Sequence, residues 1–287
     1  MRKIILLSII IGLISCSQRE AKTPGRPIVA VSILPQKYLV ASIADTLADV
    51  ITMVPPGASP ATWEATPAQM KQLSHASLYF RIGHIGFENA WMDKMIELNN
   101  SMRVIDLSEE LELLAIDVKH GDHSHKGTDP HTWMSPARME QMARKVFYEL
   151  KTLFPGHTDQ LRRNYEKLIL EIRETAAHVD KLLSVHGGKA FLIFHPSLGY
   201  LADDYYLEQI SIEYEGKEPS AAHMKDIIGK AKNRGIKVIF IQEEFDKRNA
   251  TMVAEEIGGT VVQINPLSEN WAREMKAISS QLNKALK

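Results

Sequence analysis

The sequence predicts an α/β protein of two similar lobes, each a mostly parallel four-stranded sheet flanked by helices, joined by one long rigid helix. Three observations predict it. Short β-branched runs alternate with helical spacings from residue 27 to residue 107, and a second alternation runs from residue 189 to residue 286. Between them, residues 158–185 contain no Gly and no Pro. Alternating strands and helices imply a parallel sheet with helices on its faces. A helix of that length rises on the order of 40 Å. Ordinary helices are shorter, so this one is expected to bridge two bodies.

In chain order, PIVAVSIL (27–34) reads as the first strand, stopped by Pro35. Residues 36–47 carry helical spacing at Tyr38, Leu39, Ile43 and Leu47. A strand at 50–54 breaks at Pro55-Pro56-Gly57, and Thr66-Pro67 opens a helix through Leu73 as cap and first-turn proline. A strand at 76–82, a turn at Gly83-His84-Ile85-Gly86, a helix at 88–99 and a strand at 103–107 complete the first lobe's sheet. Residues 115–130 break the rhythm. His120-Gly121-Asp122-His123-Ser124-His125-Lys126-Gly127 is polar and histidine-rich, and reads as a mobile surface loop that holds metal weakly. Ser135-Pro136 caps a helix through residue 150, and Pro155-Gly156 interrupts it. The long helix has one apolar stripe at Leu161, Tyr165, Leu168, Ile172, Ala176, Val179 and Leu183. After Gly187-Gly188, strands are expected at 189–194, 209–214, 237–242 and 260–265, with helices at 198–206, 219–234, 247–257 and 271–286. The division is a first lobe at 27–155, a linking helix at 156–187 and a second lobe at 188–287.

The chain has 287 residues, 45% apolar and 24% charged, with a net charge of −1. It can bury a core and is not of disordered composition. No basic stripe marks a nucleic-acid partner. Arg2-Lys3 and the apolar run at 4–14 form a signal peptide too short to span a bilayer. Leu13-Ile14-Ser15-Cys16 resembles a bacterial lipobox. Residues 1–15 are then a lipoprotein signal peptide, Cys16 carries lipid, and residues 16–26 are a polar tether. Cys16 is the only cysteine, so its acylation leaves no thiol for a disulfide, a thiolate site or a cysteine nucleophile.

Two histidines stand out. His131 follows Pro130 in a short turn before a helix start, where Pro130 fixes its own φ and restricts Asp129. His195 ends the run Phe191-Leu192-Ile193-Phe194, beside Pro196. Ligand sites are expected at the carboxyl ends of strands in open α/β sheets. One histidine lies in each half of the chain, which suggests a site that both halves share.

Several segments resemble the zinc- and manganese-binding lipoproteins that feed ABC importers, the cluster A-I or cluster 9 solute-binding proteins. They are Val54-Pro55-Pro56-Gly57-Ala58-Ser59-Pro60, Trp63-Glu64 with Thr66-Pro67, Asp129-Pro130-His131-Thr132-Trp133, Phe194-His195 with Gly199-Tyr200, Val238-Ile239-Phe240, and Ile264-Asn265-Pro266-Leu267. The likeness covers residues 28–287. It implies two lobes about a rigid backbone helix and one metal in the interlobe cleft, held by histidines and carboxylates. His131 and His195 match the family's second and third ligand positions. The place of its first histidine holds Ala61, which coordinates nothing. Zinc usually needs three or four protein donors. His84, at a strand end in the same lobe as Ala61, is one further candidate. Glu213 resembles the carboxylate of manganese-type members, with Glu215 as its rival on the same strand face. Glu269 and Asn270 stand where many members carry an aspartate, Glu269 one place displaced. Asp129 and Glu64 are expected to accept hydrogen bonds from the imidazoles.

The resemblance implies Zn²⁺ as cargo, with Mn²⁺ or Fe²⁺ as alternatives for an imidazole–carboxylate donor set. It also implies an ABC permease as partner, a monomer, and an exported protein touching the membrane only through its lipid. The competing reading is a metal-dependent hydrolase, since a metal with few protein ligands keeps an open position. Against it, no His-Glu-x-x-His helix and no triad motif occur, and Ser197 beside His195 is explained equally well by strand-end polarity, so the chain reads as a binding protein rather than an enzyme. Trp63, Trp133, Trp271, Tyr205 and Tyr206 are aromatic enough to line a cleft for another ligand, with core packing as their competing use.

Overall fold

The computed structural model describes residues 25–120, 123–213 and 219–287. The signal peptide, Cys16 and its lipobox, most of the tether, and Glu215 lie outside the described residues. Strands β1 (Ile28–Val31), β2 (Asp49–Thr52), β3 (Ala76–Arg81) and β4 (Arg103–Asp106) form a parallel sheet in the order β2-β1-β3-β4. A separate two-stranded hairpin follows, β5 (Ala115–His120) with β6 (His123–Thr128). The second parallel sheet contains β7 (Ala190–Ile193), β8 (Glu208–Ser211), β9 (Val238–Gln242) and β10 (Thr260–Ile264) in the order β10-β9-β7-β8. The helices are α1 (Leu34–Ala44), α2 (Pro67–Leu73), α3 (Gly86–Leu98), α4 (Pro136–Leu153), α5 (Thr158–Leu183), α6 (Gly199–Asp204), α7 (Ala221–Asn233), α8 (Arg248–Ile257) and α9 (Trp271–Ala285).

The hairpin corrects the expectation of a surface loop at residues 120–127, of which Gly121 and Asp122 lie outside the described residues. Gly121-Asp122 is a two-residue hairpin signal. The ladder brackets it, with His120 opposite His123 and Ile116 opposite Gly127. The alternation Ile116-Asp117-Val118 was outweighed by the density of polar residues around it.

Capping explains several helix starts. Thr66 accepts from the amide of Gln69 while the Gln69 side chain returns to Thr66, a reciprocal capping box. Ser135 caps α4, Ser220 caps α7, and Asn270 caps α9 by accepting from the Arg273 amide. Asn270 is therefore engaged as a cap.

α5 joins the two halves physically. It buries Leu161, Leu168, Ile169, Ile172, Thr175, Val179 and Leu183, and packs on α1, α4 and α9. The buried Thr175 hydroxyl donates to the Glu171 carbonyl one turn back (2.8 Å), which satisfies it locally. One core runs from the first sheet along α5 into the inner face of the second sheet, through Phe191, Ile193 and Phe240. The alternate residues Leu192, Phe194, Ile239 and Ile241 face a second core under α7 and α8.

Two buried indoles cross the seam between lobes. Trp133 Nε1 donates to the Pro266 carbonyl (2.8 Å), and Trp271 Nε1 donates to the Trp133 carbonyl (2.7 Å). Arg138 on α4 lies over the Tyr200 ring and bonds Asp204 of α6 (3.0 Å). Tyr205 packs against the main core, whereas Tyr206 is 84% exposed; neither lines the cleft.

Trp271→Phe keeps an aromatic ring but leaves the buried Trp133 carbonyl without its donor. It is expected to lower unfolding free energy by about 1–3 kcal/mol. Urea unfolding with an unchanged denaturant slope is the check.

Candidate metal centre

In open α/β sheets the crevice forms where strand order reverses. In the first sheet that point lies between β1 and β3; in the second, between β7 and β9. The carboxyl ends of these strands face one interlobe cleft of about 480 Å³. His84, Asp129, His131, His195, Glu213 and Glu244 are among the residues that line it.

His131 is mounted by Asp129. One Asp129 oxygen, Oδ1, meets both the His131 amide (2.9 Å) and the His131 ring Nδ1 (2.7 Å). A carboxylate can only accept, so Nδ1 carries the hydrogen and Nε2 keeps its lone pair in the neutral ring. Asp129 is buried, and its carbonyl accepts from the Tyr200 hydroxyl of the second lobe (2.8 Å). Its other oxygen lies directly over Gly199, where a Cβ would overlap it. Glycine at the start of α6 is therefore what lets the second lobe come this close.

His195 is mounted by the second sheet. Gln242, fully buried, donates through Nε2 to the His195 carbonyl (2.7 Å) and to Ser197 Oγ (2.6 Å). Phe245 stacks on the imidazole, with centroids 5.1 Å apart. Glu213 continues the sheet ladder, its amide donating to the Phe194 carbonyl (2.9 Å), and its carboxylate accepts from His195 Nδ1. Nε2 of His195 is again the atom with the free lone pair.

The two Nε2 atoms face each other at 3.3 Å. Nitrogens each ~2.0–2.1 Å from a tetrahedral zinc would stand about 3.3–3.4 Å apart. The spacing fits a shared divalent ion. Each imidazole is also backed by a carboxylate at Nδ1, which orients the ring and leaves Nε2 toward the cleft.

The other sequence candidates fall differently. His84 lines the cleft from the first lobe, exposed and at φ +63°. Its turn is pinned from below by the fully buried Glu88, which accepts from the amides of Ile82 (2.7 Å) and Gly83 (2.8 Å) and from the Ser32 hydroxyl. Burial pushes the Glu88 carboxyl above its ordinary range, and these donors oppose the shift. Gly83, at φ +85°, supplies the left-handed residue that this turn needs. Glu213 lines the cleft, but its carboxylate is bonded to His195. The structure does not bring Glu269 to the cleft; it pairs with Lys37 on the surface (3.0 Å). Glu64 is exposed and is not part of the cleft wall. Ala61 does line the cleft, and its carbonyl sits against Gly86, two residues from His84. Ser197 is held by Gln242. Among the described residues, no three His, Cys, Asp or Glu side chains are already clustered for a metal.

Sequence reasoning missed Gln242, Glu244 and Phe245. The available signal was their position at and just past the carboxyl end of β9, beside the strand that carries His195. Burial raises the Glu244 carboxyl above its usual range, and nearby His195 opposes that.

Gly199→Ala should displace Asp129 and loosen His131 without touching a donor atom. Affinity for a divalent ion held by these rings is expected to fall about 10–100-fold, as when a partner behind a ligand is lost. Competition against a chromophoric chelator measures it, with circular dichroism confirming the fold.

Comparison with known proteins places this geometry. The family model for ZnuA, the periplasmic component A of the zinc-uptake complex, matches residues 29–285. A crystal structure of a ZnuA deletion mutant with zinc bound is similar at a TM-score of 0.83 and 33% identity, covering 91% of this chain and 98% of that one. A putative metal-binding protein of Chlamydia muridarum is 25% identical over 285 residues, 98% of each chain. The zinc-binding lipoprotein AdcA of Streptococcus pneumoniae is 23% identical over 280 residues, 92% of this chain and 54% of its own length. The chain thus spans about half of AdcA. The match along nearly its whole described length, with the fold shared, means that the chain belongs to the ZnuA family of periplasmic zinc-uptake components.

Proposed function

We propose that this protein captures a divalent transition metal, zinc first, in the interlobe cleft and delivers it to an ABC permease for import. His131 and His195 are the ligands that anchor the ion through Nε2. The observation that carries the reading is the 3.3 Å separation of those two atoms, each ring held by a carboxylate at Nδ1. His84 is the further donor from the first lobe, taking the part that Ala61 has lost. Glu213 serves by holding His195. Zinc is favoured over Mn²⁺ and Fe²⁺ because the anchoring donors are imidazoles. The zinc-bound ZnuA structure and the name of AdcA support that choice.

Binding and release follow from where the ligands sit. His131 belongs to the first lobe and His195 to the second. A small relative movement of the lobes therefore parts the donors, and the ion loses its chelate. The stiff α5 and the two indole hydrogen bonds restrict that movement, so release needs an external partner, the permease. No reacting group is called for, and the protein acts as a monomeric carrier.

Cys16 follows a lipobox-like run, and AdcA is named a lipoprotein. These support an exported protein anchored by an N-terminal lipid. Among the described residues, no helix is long and apolar enough to cross a membrane. The working division is a signal peptide at 1–15, a tether at 16–26, lobes at 27–155 and 188–287, and the linking helix at 156–187.

Isothermal titration of metal-free protein with Zn²⁺ and Mn²⁺ tests the reading. One equivalent of Zn²⁺ should bind, more tightly than Mn²⁺, and His131→Ala and His195→Ala should each abolish detectable binding. Folded protein that takes up neither ion would end the proposal.

A further inference from the structure

The ends of β7 and β9 flank the strand-order reversal of the second sheet, and Gln242 at the end of β9 and Phe245 just beyond it both meet His195. Gln242 braces its backbone, and Phe245 stacks on its ring. Between them in the chain stands Glu244, which lines the same cleft. The cleft's other described carboxylates have duties: Asp129 is bonded to His131, and Glu213 to His195. Among the described residues, the Glu244 carboxyl accepts from its own amide and lies near His195, both of which oppose the upward push of burial.

We infer that Glu244 is a metal ligand of this cleft, supplying a carboxylate oxygen from the carboxyl end of β9 beside the imidazole of His195. The inference rests on the metal-capture reading and deepens it. Chemistry and position support it together. A zinc site ordinarily takes three or four protein donors, and carboxylate oxygen is among those it accepts. A half-buried carboxylate in the cleft wall whose oxygens are not held by another side chain among the described residues is available to a dication that arrives there. A glutamate has three rotatable side-chain bonds, enough to turn onto an ion held at Nε2 of the stacked neighbour. Coordination by Glu244 also puts two donors on the second lobe, facing His131 and the His84 rim of the first.

Neighbouring Glu243 provides the control. It is exposed, and its carboxylate accepts from the side-chain Nδ2 of Asn265 (2.5 Å). The experiment compares the full chain with Glu244→Gln, Glu244→Ala and Glu243→Gln. It measures Zn²⁺ affinity by chelator competition and the zinc environment by X-ray absorption at the zinc edge. Glu244→Gln and Glu244→Ala should each weaken zinc binding by more than about a hundredfold, beyond the ~10–100-fold effect of losing a partner behind a ligand. Both should lose one light donor from the zinc shell, and Glu243→Gln should match the parent. Thermal unfolding of the metal-free variants near the parent midpoint assigns the loss to the site. If Glu244→Ala binds zinc as the parent does, with an unchanged absorption spectrum, the inference is overturned and metal capture by His131 and His195 stands. If the parent chain binds no zinc, both fall.

Discussion

Nε2 of His131 and Nε2 of His195 meet across the gap between lobes, 3.3 Å apart. Neither ring is free to relieve this by turning, because Asp129 holds one at Nδ1 and Glu213 holds the other. Neutral imidazoles in this arrangement repel unless a cation lies between them. The rest of the molecule can be understood as the apparatus that keeps this arrangement in place. Two sheets supply the strand ends, and one helix spans both bodies.

The apparatus is rigid where it has to be. Two indole N–H groups donate to carbonyls across the seam, and each bond satisfies a buried carbonyl that would otherwise be costly. Tyr200 of the second lobe reaches the carbonyl of Asp129, and Gly199 admits the Asp129 carboxylate. His131 is thus positioned partly by the lobe that carries its opposite number. On the proposed reading, such cross-bracing would hold the donors in register before metal arrives, leaving little ordering to oppose binding. It also means that modest lobe movement acts directly on coordination.

The architecture was legible because its signals are local and redundant. Strand runs bounded by Pro and Gly, and capping residues such as Thr66 and Ser135, all mark their elements. The gap-free stripe of α5 announced the bridging helix. His131 and His195 were legible as a pair because each sits beside a proline at an element boundary. The roles of the acids were not legible. Glu213 looks like a ligand in sequence, yet its place in the ladder turns it onto Nδ1 of His195, a matter of angle that residue order does not encode. Glu269 depended on a displacement of one residue, and the chain instead pairs it with Lys37. Glu244 gave no motif at all. Its significance comes from β9 lying next to β7, a neighbour relation set by topology. The histidine-rich hairpin was hidden because its pairing depends on register, while its composition suggests a loop.

The central claim is that one cation bridges His131 and His195. The most direct measurement is a crystal structure of the zinc-loaded protein with anomalous diffraction recorded at the zinc edge. The account predicts one strong anomalous peak in the interlobe cleft, ~2.0–2.1 Å from Nε2 of both histidines. A peak bound to only one of the two rings, or zinc held elsewhere with the cleft bare, would contradict it.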